Sequence, residues 1–195
     1  MAEKRQLTRR GQERRERLLE YATRRFAERG FHPTSVSDIV DGVGVGKGVF
    51  YWYFESKDEL LIEILREALR DLRSTQAAAI ADASDPLQRL EAGIRASIDW
   101  SVDNPDIARL AMFGWSEENF AEVLRKGRDI VVTDTARLIE QAADLGQIME
   151  GNPTMMALGI RAIIDQLTQE HTVDGSIDPE MIETAVRMCL RGVRG

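Results

Sequence analysis

The chain predicts an all-α fold of about nine helices, with a small N-terminal helical domain followed by a larger helical one. Three observations lead there. No alternating run of β-branched residues reaches strand length, and apolar residues recur instead at spacings of three, four and seven. Four of the five prolines directly follow Asp or Asn, at Asp85-Pro86, Asn104-Pro105, Asn152-Pro153 and Asp178-Pro179. An Asx N-cap with proline at the first helical position is a favoured start, so each pair predicts a new helix.

Taken in order, residues 1–10 read as a disordered basic arm, and Leu19, Ala22 and Phe26 mark a first helix that Gly30 can cap. Thr34-Ser35 offers an N-cap for a short second helix whose stripe is Val36, Ile39, Val40 and Val43. Gly44 interrupts this stripe with a residue able to take the positive φ of a sharp turn. A third helix from Gly46 to Phe54 places Phe50 and Phe54 on one face and Gly48 and Trp52 opposite. Lys47/Tyr51 and Val49/Tyr53 occupy the flanks. Ser56 with Glu59 three residues on forms a capping box for a long helix from Leu60 to about Ala83. After the Asx-Pro helices, Ser116 caps a further long helix reaching Leu145 before Gly146.

The third helix is the informative one. An exposed face of Lys, Gly and polar-tipped aromatics is unusual, and packing inside a core explains it equally well on aromatic content alone. Gly48 tilts the balance, because a glycine opposite the core face costs roughly 1 kcal/mol of helix stability and serves where another backbone comes close. Helix, glycine turn and helix is the helix-turn-helix arrangement, whose second helix enters a DNA major groove.

Charge fits this division. The net charge is −7, yet residues 1–60 carry 12 Lys/Arg against 10 Asp/Glu, while residues 61–195 carry 14 against 23. The basic excess lies beside the helix-turn-helix, where phosphate attraction is needed. The lone Cys189 has no partner for an internal disulfide and sits on an apolar stripe. With no long apolar run or leader, a cytoplasmic protein with no membrane partner is expected.

Two late helices are broader in apolar surface than one core requires. Met156, Ile160, Ile163 and Leu167 line the first, and Ile182, Ala185, Val186 and Cys189 the second. Paired across a two-fold axis they would make a four-helix homodimer interface, although core packing explains them too. Trp100, Met112, Phe113, Trp115 and Phe120, with Met156, Asp165 and Gln166, are candidate walls of a cavity for an apolar or aromatic small molecule. Core packing accounts for each of these singly.

Catalytic and metal patterns are absent. His32 and His171 are the only histidines, no Cys/His cluster is spaced for a metal, and neither a nucleophile elbow nor a phosphate loop occurs. No cofactor is expected. A helical protein-interaction module and an enzyme of unfamiliar type remain alternatives at this point.

The residues Thr34-Ser35-Val36, Ile39, Gly44 to Phe54 and Ser56 to Leu61 resemble the DNA-binding domain of tetracycline-repressor-like regulators, the TetR family. The resemblance is close over about 45 residues. It implies a helix-turn-helix domain over residues 11–56 and a ligand-binding and dimerisation domain over 57–195. By the same resemblance, Thr34, Tyr51, Tyr53 and Lys57 match positions at the DNA backbone, Lys47, Gly48, Val49 and Trp52 match the groove-facing surface, and Ser35 is a further DNA-binding candidate. It further implies a homodimeric repressor on a double-stranded palindromic operator, released by a small-molecule effector. Gly46, Val49 and Tyr53 stand where Ser, Thr and His are common, so base preference does not transfer.

Overall fold

The computed structural model describes residues 8–174 and 177–194. Among them are nine helices and no strand. Of the arm expected at residues 1–10, positions 1–7 lie outside the described residues, and Thr8 already caps the first helix through its hydroxyl, 3.2 Å from the Gly11 N–H. The chain divides into two compact units, residues 1–65 and 66–195.

The first unit holds α1 (Arg9–Arg29), α2 (Val36–Val43), α3 (Lys47–Tyr53) and the start of α4 (Lys57–Ile80). Of the residues that the periodicity selects, Leu19, Ala22 and Phe26 on α1 and Ile39, Val40 and Val43 on α2 are buried, while Val36 is half-buried and Leu18 joins the core. Phe50 and Phe54 are also buried, their ring centroids 5.7 Å apart. A seven-residue helix has too few hydrogen bonds to persist alone. The burial of Phe50 and Phe54, about 1.5–3 kcal/mol each, holds α3 in place. The boundary between units falls inside α4 rather than before it, since Leu60, Leu61, Ile64 and Leu65 are buried within the first unit. Arg15 of α1 adds an ion pair to Glu63 at 2.9 Å.

The second unit contains the rest of α4 with α5 (Pro86–Asp103), α6 (Pro105–Ser116), α7 (Glu118–Asp144), α8 (Pro153–Asp174) and α9 (Pro179–Arg194). Helix α7 packs on α5, α6 and α8, and α9 closes on α5 and α8. Their shared core includes Leu90, Ile94, Ile98, Ile139, Ile160 and Val186. Gly127 permits a close approach, because a Cβ there would lie 2.5 Å from Leu69 Cδ1. At the surface Arg95 bridges Glu91 at 2.9 Å and Glu183 at 3.0 Å, joining α5 to α9.

Three of the four Asx-Pro pairs cap as the sequence predicts. The side chains of Asp85, Asn152 and Asp178 accept N–H bonds from Gln88, Met155 and Glu180 at 3.0, 3.1 and 2.9 Å. Asn104 does otherwise, donating its amide to the Trp100 carbonyl at 2.8 Å and so closing α5. With no loop between α5 and α6, one side chain serves the ending helix. Ser116 likewise ends α6, its hydroxyl donating to the Phe113 carbonyl at 2.7 Å, and α7 starts after Glu117 without a side-chain cap.

Candidate nucleic-acid interface

The helix-turn-helix is built from local signals. Ser35 and Asp38 form a reciprocal capping box at the start of α2: the Asp38 N–H donates to Ser35 Oγ at 3.2 Å and the Ser35 N–H to Asp38 Oδ2 at 2.7 Å. The Ser35 hydroxyl and then its N–H hold the Asp38 carboxyl below its ordinary value. Helix α2 ends in a Schellman motif around Gly44 at φ 74°, with Gly44 N–H to Asp41 O at 3.2 Å and Val45 N–H to Val40 O at 2.9 Å. Arg17 adds a bond to the last α2 carbonyl, Val43 O, at 2.9 Å. The turn then delivers Gly46, which caps α3 with no side-chain bond.

Helix α3 buries Phe50 and turns the opposite face to solvent. Tyr51 and Trp52 are 56% and 55% exposed, and Lys47 and Gly48 are exposed with them. Nothing lies within 4 Å of a Cβ built on Gly48, so that face is bare backbone. The Trp52 ring stands edge-on to Tyr53 at 4.6 Å. Ser35 is exposed at the α2 N-terminus and Val49 is half-buried. A flat, bare strip with a lysine and two aromatic rings suits insertion between phosphate walls.

Three residues expected at the DNA backbone have their polar groups engaged inside the first unit. Thr34 is only 2% exposed, and its hydroxyl donates to Gly30 O at 2.8 Å. The Tyr53 hydroxyl donates to Gly11 O at 2.8 Å, tying α3 to the start of α1. Lys57 is the clearest reassignment. Its ammonium donates to the carbonyls of Phe31, Thr34 and His32 at 2.7, 2.9 and 3.3 Å and lies 4.2 Å from the Phe31 ring centroid. Burial lowers its pKa from the usual lysine value, with Asp58 opposing. The segment between α1 and α2 presents these carbonyls without a helix or strand to pair them, and Lys57 satisfies them.

The second unit encloses a cavity of about 460 Å³ between α4, α5, α7 and α8. None of the eight residues expected to line a pocket lines this one. Trp100 donates its indole N–H to Asp71 at 2.7 Å, Phe120 is core with Phe113 at 6.0 Å, and Trp115 lies under Arg128. Met112 is exposed, Met156 packs on the core, Asp165 pairs with Arg161 at 2.7 Å, and Gln166 is exposed. The actual walls include Leu90, Gly93, Ile94 and Ser97 of α5. Gly93 and Ser97 are small residues on that stripe, but the free volume depends on side chains from all four helices.

The residues expected at an interface on the late helices lie mostly toward the unit's own core, while Ile163 and Leu167 also line an open groove with Met181 and Met188. Ile160, Ala185, Val186 and Cys189 face the unit's own core, and Met156, Ile163, Leu167 and Ile182 pack against it half-buried. Burial pushes the Cys189 thiol up to about 11. The exposed apolar groups on these helices are Met155, Leu158, Met181 and Met188. Among the described residues no group of three or more His, Cys, Asp or Glu is placed to hold a metal, and no helix is long and apolar enough to cross a membrane.

Comparison with known proteins agrees with this layout. Residues 18–64 match the family model described as bacterial regulatory proteins, tetR family, and residues 83–193 match the tetracyclin repressor-like C-terminal domain. The repressor DhaR of Mycobacterium sp. strain GP1 is 34% identical over 143 residues, 72% of this chain and 68% of DhaR. The repressor KstR2 of Mycobacterium tuberculosis is 41% identical over 86 residues, 44% of this chain and 43% of KstR2, so the chain spans less than half of that relative. The activator FasR of Mycolicibacterium smegmatis is 38% identical over 88 residues, 45% of this chain and 40% of FasR. In fold, the fatty acid degradation regulator FadR from Bacillus halodurans superposes with a TM-score of 0.82 at 18% identity, covering 92% of this chain and 99% of that one. With both units matched in sequence and the helical order shared, the chain belongs to the TetR family of DNA-binding transcriptional regulators.

Proposed function

We propose that this regulator is a repressor that binds a palindromic operator as a homodimer and is released when a small-molecule effector occupies the cavity of its second unit. The observation that carries the reading is the exposed α3 strip of Lys47, Gly48, Tyr51 and Trp52, held by Phe50 and Phe54. Lys47 supplies a phosphate contact and Gly48 the close approach, with Tyr51 and Trp52 flanking it. Val49 offers a methyl contact to thymine. Thr34, Tyr53 and Lys57 position this strip from behind.

Dimerisation supplies the second reading head that a palindrome requires. Met155, Leu158, Met181 and Met188 form the exposed apolar surface for it on α8 and α9. Effector control follows if the ligand has different affinity for the DNA-bound and free forms. A cavity of about 460 Å³ lies within the range of small-molecule sites, about 300–1,000 Å³. Two of the compared relatives are named repressors and one an activator. Repression is favoured because an operator-bound dimer blocks a promoter without any further contact.

Genomic DNA captured by the purified protein and sequenced tests this directly. The expected result is enrichment of an inverted repeat with half-sites about one or more helical turns apart, and loss of promoter transcription in vitro on adding the protein. Enrichment of no sequence overturns the operator reading, and increased transcription overturns repression.

A further inference from the structure

The cavity has a charge character opposite to the unit that contains it. Residues 66–195 carry 14 Lys/Arg against 22 Asp/Glu, yet the cavity wall has five arginines and one carboxylate, Asp134. Arg73 and Arg137 share Asp134 at 2.9 and 3.3 Å, Arg70 pairs with Glu67 at 3.8 Å, and Arg161 pairs with Asp165 at 2.7 Å. Arg89 has no carboxylate partner among the described residues, and its Nε is buried without an acceptor. The Nε of Arg161 is buried in the same condition. Guanidinium groups cannot relieve burial by losing a proton, so each keeps its charge and its unused donor. The same wall includes Leu90, Ile94, Val132, Ile160 and Ile164, with no aromatic ring. A wall without rings offers no cage for a quaternary ammonium group. Guanidinium groups and aliphatic side chains on one wall match a molecule with an anionic end and an aliphatic body.

We propose that the cavity takes an amphipathic anion, an aliphatic body ending in a carboxylate, with the Arg89 guanidinium as its principal counter-ion and Arg161 supplying a second donor. Gln76 and Ser97, linked at 2.7 Å, form a polar point on the same wall and select the depth to which the body enters. The proposal rests on the effector reading of the cavity and specifies the class of ligand.

Three probes of equal chain length separate the possibilities: decanoate, decanol and decyltrimethylammonium, titrated calorimetrically into the full chain. Decanoate is expected to bind about tenfold or more tighter than decanol, the worth of one charge-assisted hydrogen bond, and the cation weakest. Arg89→Met, which retains an apolar stem, should bring decanoate to the level of decanol, and a circular-dichroism spectrum equal to the parent's certifies the fold. Arg161→Met should reduce the preference partially. Equal binding of decanoate and decanol, survival of the preference in the Arg89→Met/Arg161→Met double variant, or tightest binding of the cation overturns the anion proposal. If decanol then still releases DNA, the effector reading stands without it. Failure of all three probes to bind overturns both.

Discussion

The Nζ of Lys57, at the first residue of α4, donates to the carbonyl oxygen of Phe31 at 2.7 Å while lying over the Phe31 ring. One side chain thus fastens the segment that leads into α2. Because two further carbonyls share the ammonium, its donors are spent on the fold. Lys57→Met should lower the stability of the first unit by about 1–2 kcal/mol, the scale of hydrogen bonds to a charged group in a half-exposed setting. The salt dependence of operator binding should change by less than one phosphate contact. Chemical denaturation and a salt titration of DNA affinity measure both, and a slope reduced by about one with unchanged stability would return this ammonium to the phosphates.

Gly48 separates folding from binding. A methyl group there meets no protein atom within 4 Å, and alanine is the better helix former by about 1 kcal/mol. Gly48→Ala should therefore raise the melting temperature and weaken operator binding by about 1–3 kcal/mol, the scale of one lost base-edge contact. Unchanged DNA affinity would place the groove-facing strip elsewhere on α3.

The capping box of α2 predicts a pH dependence. The Asp38 carboxyl has a folded pKa below its unfolded one, so its contribution is present above the unfolded value near 4 and is lost as pH falls through the folded value. Asp38→Asn should be less stable than the parent at pH 6, and the two melting curves should converge toward pH 3. A constant gap over that interval would mean the carboxylate has no part in the cap.

On the late helices, one face serves the core and the other is open. Met155→Asp with Met188→Asp, at 64% and 58% exposure, should convert the proposed dimer to monomers in sedimentation with little loss of helicity. Leu190→Ala, on the buried side of α9, should instead cost about 2–5 kcal/mol of stability. Monomers from the parent chain at micromolar concentration would sink the dimer reading itself.

What the sequence determined by itself was local. Helix class, the Gly44 turn, the Ser35 start and the choice of Phe50 and Phe54 as anchors depend on residues within one turn of one another, and periodicity and capping chemistry report such neighbours directly. Tertiary structure decided whatever depended on residues distant in the chain. Lys57 reads as a free cation until Phe31 and Thr34 are folded against it. The cavity was hidden for the same reason. Its walls come from four helices, and unfilled volume is a property of how side chains from all four meet, which no single stripe contains.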